Sequence, residues 1–283
     1  FWLLDGRGRC LDGMKKIYGQ AFYLYALAEY YRATRFEPAL RQAIELFHLI
    51  EEHSHDDEDL GYFETFNRGW TPAEDSRLSE KDMNEKKSMN NHLHVLEAYT
   101  RLAGVWRADA VRTRVREIIG LFTDRIWNPE SGHLDHFFDM AWRPRSDNYT
   151  FGHEIEASWL LWEAAQASAD PEVAAGVRPL VLDLARSTLD QGVDASGGLC
   201  YEGRSGRVTN PNKEWWPQAE AVVGFLNACQ VSGDPVYFQA ALAVWDFIER
   251  HIVDPEHGEW FWRVDAHGRP DRTEPKVSEW KEP

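Results

Sequence analysis

Asn90 and His94 stand four residues apart, and His153 and Glu156 stand three apart. On a helix either spacing places two side chains on one face. A carboxylate beside an imidazole holds its orientation and favours its cation, while burial opposes that cation. Such a balance suits a group that takes and returns protons. Trp159 lies three residues beyond Glu156 on the same face, and Trp215-Trp216 precede Pro217. Glu220 sits in an otherwise apolar stretch, where a carboxylate needs an intramolecular partner or a ligand hydroxyl. His92 points away from the Asn90–His94 face and reads as structural. Imidazole with carboxylate can also ligate zinc or iron. However, there is no His-Glu-x-x-His and no second such pair, and Cys10, Cys200 and Cys229 lack metal spacing, so no metal is expected. No Gly-rich phosphate loop, dinucleotide fingerprint or Gly-x-Ser-x-Gly elbow is present, so nucleotide cofactors and serine acyl transfer are unsupported.

The chain has 13 Trp, 14 Phe and 10 Tyr. Rings in that number serve either a large core or a cleft, and indole faces pack well on the C–H faces of sugars. Convergent His and Glu beside such rings point to carbohydrate chemistry. Two reactions fit: glycoside cleavage by a carboxylate pair, and proton transfer next to a sugar carbonyl by histidine. Lys plus Arg number 31 against 47 Asp plus Glu, a formal charge of −16. No basic run exceeds two residues, as in Lys86-Lys87, so neither nucleic acid nor a membrane surface is an expected partner. No apolar run approaches the ~18 residues of a membrane span. Three Cys, odd in number and far apart, fit a reducing compartment and a cytoplasmic location.

Positioning these residues falls to a repeat. An acidic turn, a Gly and then aromatics recur around Gly61, Gly132, Gly198 and Gly258, each read as a turn into a short strand or hairpin. Phe1-Trp2-Leu3-Leu4-Asp5 resembles the tail of one more copy. Between copies lie paired helical patterns: about 16–34 with 37–54, 88–106 with 109–127, 153–169 with 172–190, and 215–232 with 235–253. The second of each pair is amphipathic. Leu40, Ala43, Ile44, Phe47 and Ile50 form one such stripe, and Phe238, Ala241, Leu242, Trp245 and Ile248 another. Asp170-Pro171 and Asp234-Pro235 mark helix starts. The first of each pair, as in Gly19–Ala28 and Ala157–Trp162, is apolar nearly all round and predicts burial on every side. The pattern predicts an all-α fold, an (α/α)6 barrel or toroid of helical hairpins, with short β-hairpins in the connecting loops. Six hairpins close such a ring. Residues 1–283 are expected to form one such domain, lacking parts at both the N- and C-terminus.

Four stretches carry a likeness in order along nearly the whole chain: Lys87 to Thr100, Gly152 to Leu161, Glu214 to Val222 and His257 to Trp262. Together they resemble the N-acylglucosamine 2-epimerase superfamily, and within it the cellobiose 2-epimerase branch. The resemblance implies a single (α/α)6 barrel and a cofactor-free isomerase. Its substrate would be a mono- or disaccharide, epimerised at carbon 2 of a reducing sugar, glucose to mannose, through a cis-enediolate. By motif, it implies that His153 carries an acid/base role and that Glu156 supports it or binds substrate. Asn90 and His94 would bind the open-chain sugar and assist ring opening. Trp216 and Trp280 would be stacking walls, with Tyr62, Asp82, Glu220 and Gln20 as further substrate contacts. Two positions depart from the pattern. Gln20 stands where the epimerases place an Arg. After Trp280-Lys281 the family has a second catalytic His within a few residues, whereas here Glu282-Pro283 follow, Glu282 in place of a Cys. An α/α-barrel glycoside hydrolase and a catalytically impaired sugar-binding relative are the alternatives. A monomer or homodimer is expected.

Overall fold

Helical hairpins follow one another along the chain. The structure is a computed structural model that describes residues 2–80, 82–278 and 281. Among the described residues there are eight α-helices: α1 (Ile17–Thr34), α2 (Glu37–His53), α3 (Met89–Val105), α4 (Asp109–Leu121), α5 (Phe151–Ala167), α6 (Pro171–Ser187), α7 (Trp215–Ser232) and α8 (Pro235–Phe247). Helix starts agree with the sequence reading to within two residues. The Asp170 and Asp234 side chains accept the backbone N–H of Glu172 and Val236, which caps α6 and α8 ahead of their first-turn prolines. Sequence periodicity does not mark the outer-helix ends. There α4, α6 and α8 widen into π-helical turns at Phe122–Ile126, Thr188–Gly192 and Ile248–Ile252.

Two expectations about burial need correction. The buried stripe of α8 is Tyr237, Ala240, Ala241, Val244 and Phe247. Phe238 and Trp245 are each 43% exposed and Leu242 is exposed beside them. This helix has apolar side chains on two stripes, so spacing alone does not choose between them. In α2 the expected Ala43, Phe47 and Ile50 are buried, joined by Ala39 and Leu46. The inner helices also differ among themselves. α3 is buried nearly all round, whereas α1 buries only Ile17, Ala21, Leu24 and Ala28, and exposes Phe22, Tyr23 and Tyr30. Val223 and Leu226 are likewise exposed on α7.

Two compact units divide the chain. The first comprises residues 1–127, 135–146 and 163–175, and the second 128–134, 147–162 and 176–283. In the first, α1 packs on α2 and α3, and α3 on α4. Antiparallel pairs Lys15–Lys16 with Thr65–Phe66, and Lys87–Ser88 with Phe137–Phe138, fix the entrances of α1 and α3. In the second unit α7 packs on α8. Residues Asn148–Thr150 pair with Glu202–Arg204, and Lys213–Glu214 with Arg263–Val264, ahead of α5 and α7. Gly224 lets α5 and α7 approach closely, since a Cβ there would lie 2.5 Å from Ile155 Cγ1.

The repeated turn has a register of its own. Bridges His55–Tyr62, Val193–Leu199 and Val253–Trp260 close three copies. Tyr62, Leu134 and Leu199 each donate their backbone N–H to the fourth residue of an inner helix: His92 of α3, Glu154 of α5 and Gln218 of α7, all at 2.8 Å. The copies therefore align on Tyr62, Leu134 and Leu199 rather than on the glycines. Gly61 and Gly132 have left-handed φ of 85° and 72°, but in the third copy that role falls to Gly197, at 86°, and not Gly198.

Candidate active site

In the first unit the N-terminus of α3 gathers polar side chains. Ser88 caps the helix through its hydroxyl, which accepts the Asn91 N–H. Asn90 follows in the first turn. Its Oδ1 is buried and has no hydrogen-bond partner among the described residues. His94, one turn on, meets the Glu97 carboxylate through Nδ1 at 3.0 Å. Its ring lies against Tyr18 and Phe22 of α1, with centroids at 4.9 and 4.8 Å. Asp82 is half-buried in the loop before α3 and accepts the Ser79 N–H.

Asn90 and Asp82 line one small cavity with Glu64, Ser76, Ser88 and Phe137. The sequence reading missed Glu64. It follows Tyr62-Phe63 in the repeated strand, where a carboxylate reads as the solvent face. Instead its backbone is bonded on both sides, to Lys86 and to Ile17 at the start of α1, and its side chain is 5% exposed. Burial pushes its carboxyl up to about 8. Bonds from the hydroxyl and backbone N–H of Ser88 pull the other way, Asp82 adds to the rise and Lys16 opposes it.

Tyr62 is enclosed in the core. It is 0% exposed, and its hydroxyl, like that of Tyr99, donates to Glu51. That placement makes it a packing residue rather than a surface for sugar. Glu51 also pairs with Arg114, and Arg114 with Glu117. His92 is structural, as expected. Its two ring nitrogens meet Ser88 O and the Tyr62 N–H, and burial pushes its pKa down to about 4. Gly61 has no room for a Cβ, which would fall 2.5 Å from the Trp142 ring and 2.6 Å from His92 Nε2. Gln20 is half-buried and is the fourth residue of α1, the position that in α3, α5 and α7 reads a backbone turn.

In the second unit His153 stands in the first turn of α5. Its Nδ1 shares a 2.5 Å hydrogen bond with Thr150 Oγ1, and its ring lies 4.8 Å from that of Trp216, tilted by 54°. Gly152 makes this contact feasible, since a Cβ there would lie 2.5 Å from the indole. Glu156 is buried one turn along α5. Glu220 of α7 has found the partner its setting demands: Trp159 Nε1–H donates to its Oε2 at 2.8 Å. The structure thus joins His153 to Trp216, and Trp159 to Glu220. Trp280 lies outside the described residues. Among the described residues no group of three or more His, Cys, Asp or Glu is placed to hold a metal ion, and no helix is long and apolar enough to cross a membrane.

Comparison with known proteins adds an independent line. The N-acylglucosamine 2-epimerase (GlcNAc 2-epimerase) family model matches residues 1–279. A cellobiose 2-epimerase from Bacteroides fragilis is 42% identical over all of this chain and 72% of its own length. One from Dictyoglomus turgidum is 37% identical over the same shares. Among solved structures, cellobiose 2-epimerase from Bacillus thermoamylovorans superposes with a TM-score of 0.91 at 36% identity, covering 98% of this chain and 71% of that one. A sugar epimerase from a ruminal bacterium gives 0.92 at 34% identity, covering 98% and 70%. The fold class is accordingly that of these enzymes, an all-α helical barrel with short strands. A family 76 glycoside hydrolase from Bacteroides thetaiotaomicron, at 12% identity and a TM-score of 0.65, shares the fold alone.

Proposed function

Because the chain belongs to the N-acylglucosamine 2-epimerase family and is a sugar 2-epimerase, we propose that it inverts carbon 2 at the reducing end of a cellobiose-type disaccharide, with His153 moving the proton. Opening of the sugar ring frees an aldehyde at carbon 1, which makes the hydrogen on carbon 2 acidic. The His153 imidazole takes that proton. The C–H electron pair becomes the carbon 1–carbon 2 double bond, and negative charge moves to oxygen 1 of a cis-enediolate. A proton delivered from water to the opposite face of carbon 2 turns glucose into mannose, and His153 gives up its own proton to water. Return at carbon 1 would give a ketose instead.

The observation that carries this reading is the setting of His153. A base must be held near its proton with its ring fixed. Thr150 fixes the Nδ1 side, and Trp216 offers an indole face of the kind sugars stack on. Glu156 supports the site from the next turn of α5, and Glu220 holds Trp159 beside it. Asn90, Asp82 and His94 take hydroxyls of the open-chain sugar, and His94 assists ring opening by proton transfer at the ring oxygen. Trp280, on motif alone, is a second stacking wall.

Incubation with cellobiose in heavy water tests the reading. Deuterium should enter carbon 2 of both the glucose- and mannose-ended disaccharides. His153→Asn should slow that exchange by about 10²-fold or more, the usual worth of a general base. Aldose recovered without isotope sinks the proposal, and release of free glucose would favour the hydrolase reading.

A further inference from the structure

Glu64 presents an anomaly. A carboxyl 5% exposed, with one oxygen left without a hydrogen-bond partner among the described residues, is costly unless something meets it. The hydroxyl and N–H of Ser88 favour the charged form of this carboxyl, and burial outweighs them. Glu64 lines a cavity together with Asn90, whose Oδ1 is a second orphaned atom. Both residues are rigidly held. Glu64 lies between backbone bonds to Ile17 and Lys86, and Asn90 sits in the first turn of a capped helix.

We propose that Glu64 is a substrate-binding residue, its Oε1 and the Asn90 Oδ1 together engaging hydroxyl groups of the sugar. This rests on the reading of Asn90 as a sugar ligand and adds a partner for it. The chemistry is complementary. Buried and neutral, the carboxyl is an acid whose proton on Oε1 can be donated into the cavity. Asn90 Oδ1 accepts. A sugar hydroxyl both accepts and donates, so one hydroxyl or a vicinal pair satisfies both atoms. A carboxylate or phosphate ligand offers no proton to Asn90 and would meet Asp82 and Glu85 on the same wall. The charged groups facing Glu64 are Asp82, which favours its neutral form, and Lys16, which opposes it. Arg77 also lines the cavity and pairs with Asp75.

Cellobiose kinetics and calorimetry with Glu64→Leu and Glu64→Gln test this. Glu64→Leu should raise KM roughly tenfold, the worth of one buried hydrogen bond, with a smaller change in kcat. Glu64→Gln keeps a donor toward the cavity and should restore KM to near the parent value. A purely structural glutamate would also be rescued by Gln, so proton linkage decides. Near pH 8 the parent protein should take up about half a proton per cellobiose bound, as binding selects the neutral acid. Glu64→Gln should take up measurably less. A folded Glu64→Leu protein with unchanged KM, or equal proton uptake in parent and Glu64→Gln, overturns the inference while leaving the epimerase reading intact. A parent protein that neither binds nor turns over cellobiose overturns the substrate assignment and this inference with it.

Discussion

Glu64 also makes a claim about stability that is separate from sugar. Its native carboxyl titrates near 8, against an ordinary value of 4.5. Between those values the native protein holds a proton that the unfolded chain has released. Stability therefore falls as pH rises through this window and levels off above it. Glu64→Gln removes the titration. The stability difference between variant and parent should grow in the variant's favour from pH 5 to pH 8, by on the order of 4 kcal/mol. Urea unfolding at the two pH values checks this, and a constant difference contradicts it. The sequence made His94, His153 and Trp216 visible because imidazoles and paired indoles at a helix start are poor choices for packing alone. It hid Glu64, because a carboxylate in a short strand looks solvated until the neighbouring strands and the α3 entrance enclose it. It also promoted Tyr62, whose burial against Glu51 depends on residues 11 positions away.

Helices were legible almost to their ends, since apolar periodicity outlines them and caps with prolines mark the starts of α6 and α8. What periodicity left open was which stripe of α8 faces inward, and the π-helical turns that finish the outer helices. The fourth residue of each inner helix was equally opaque. His92, Glu154 and Gln218 share no chemistry except an acceptor atom, and an acceptor is all that the turn's N–H requires. Gln218 does more, donating from Nε2 to the carbonyls of Leu199 and Glu214. Gln218→Leu would leave Leu199 unpaired on both its N–H and its C=O inside the core. It should cost roughly 2–3 kcal/mol, the penalty for stranded buried groups. Gln218→Glu, which keeps the acceptor, should cost less. Thermal unfolding of the pair tests this, and equal losses would mean that packing rather than the turn bond matters.

For the molecule as a whole, the charge of −16 predicts behaviour that no single site does. Like charges repel across the folded surface. Raising salt from about 0.01 M to about 0.15 M shortens the screening length from about 30 Å to about 8 Å. The Tm at pH 7 should rise over that range, and a flat or falling Tm would show that local ion pairs outweigh the net repulsion. Fold class and sugar chemistry were readable at this scale because both are spread along the chain, in repeats and rings, rather than lodged in one residue. The turn-to-helix bonds have one more implication, for time rather than energy. They join residues 30, 20 and 19 positions apart. Short separations close quickly, and a chain made from its N-terminus can form them before later segments exist. Each new hairpin can thus latch onto the turn before it within about thirty residues of synthesis, so that assembly keeps pace with the ribosome instead of waiting for the last residue.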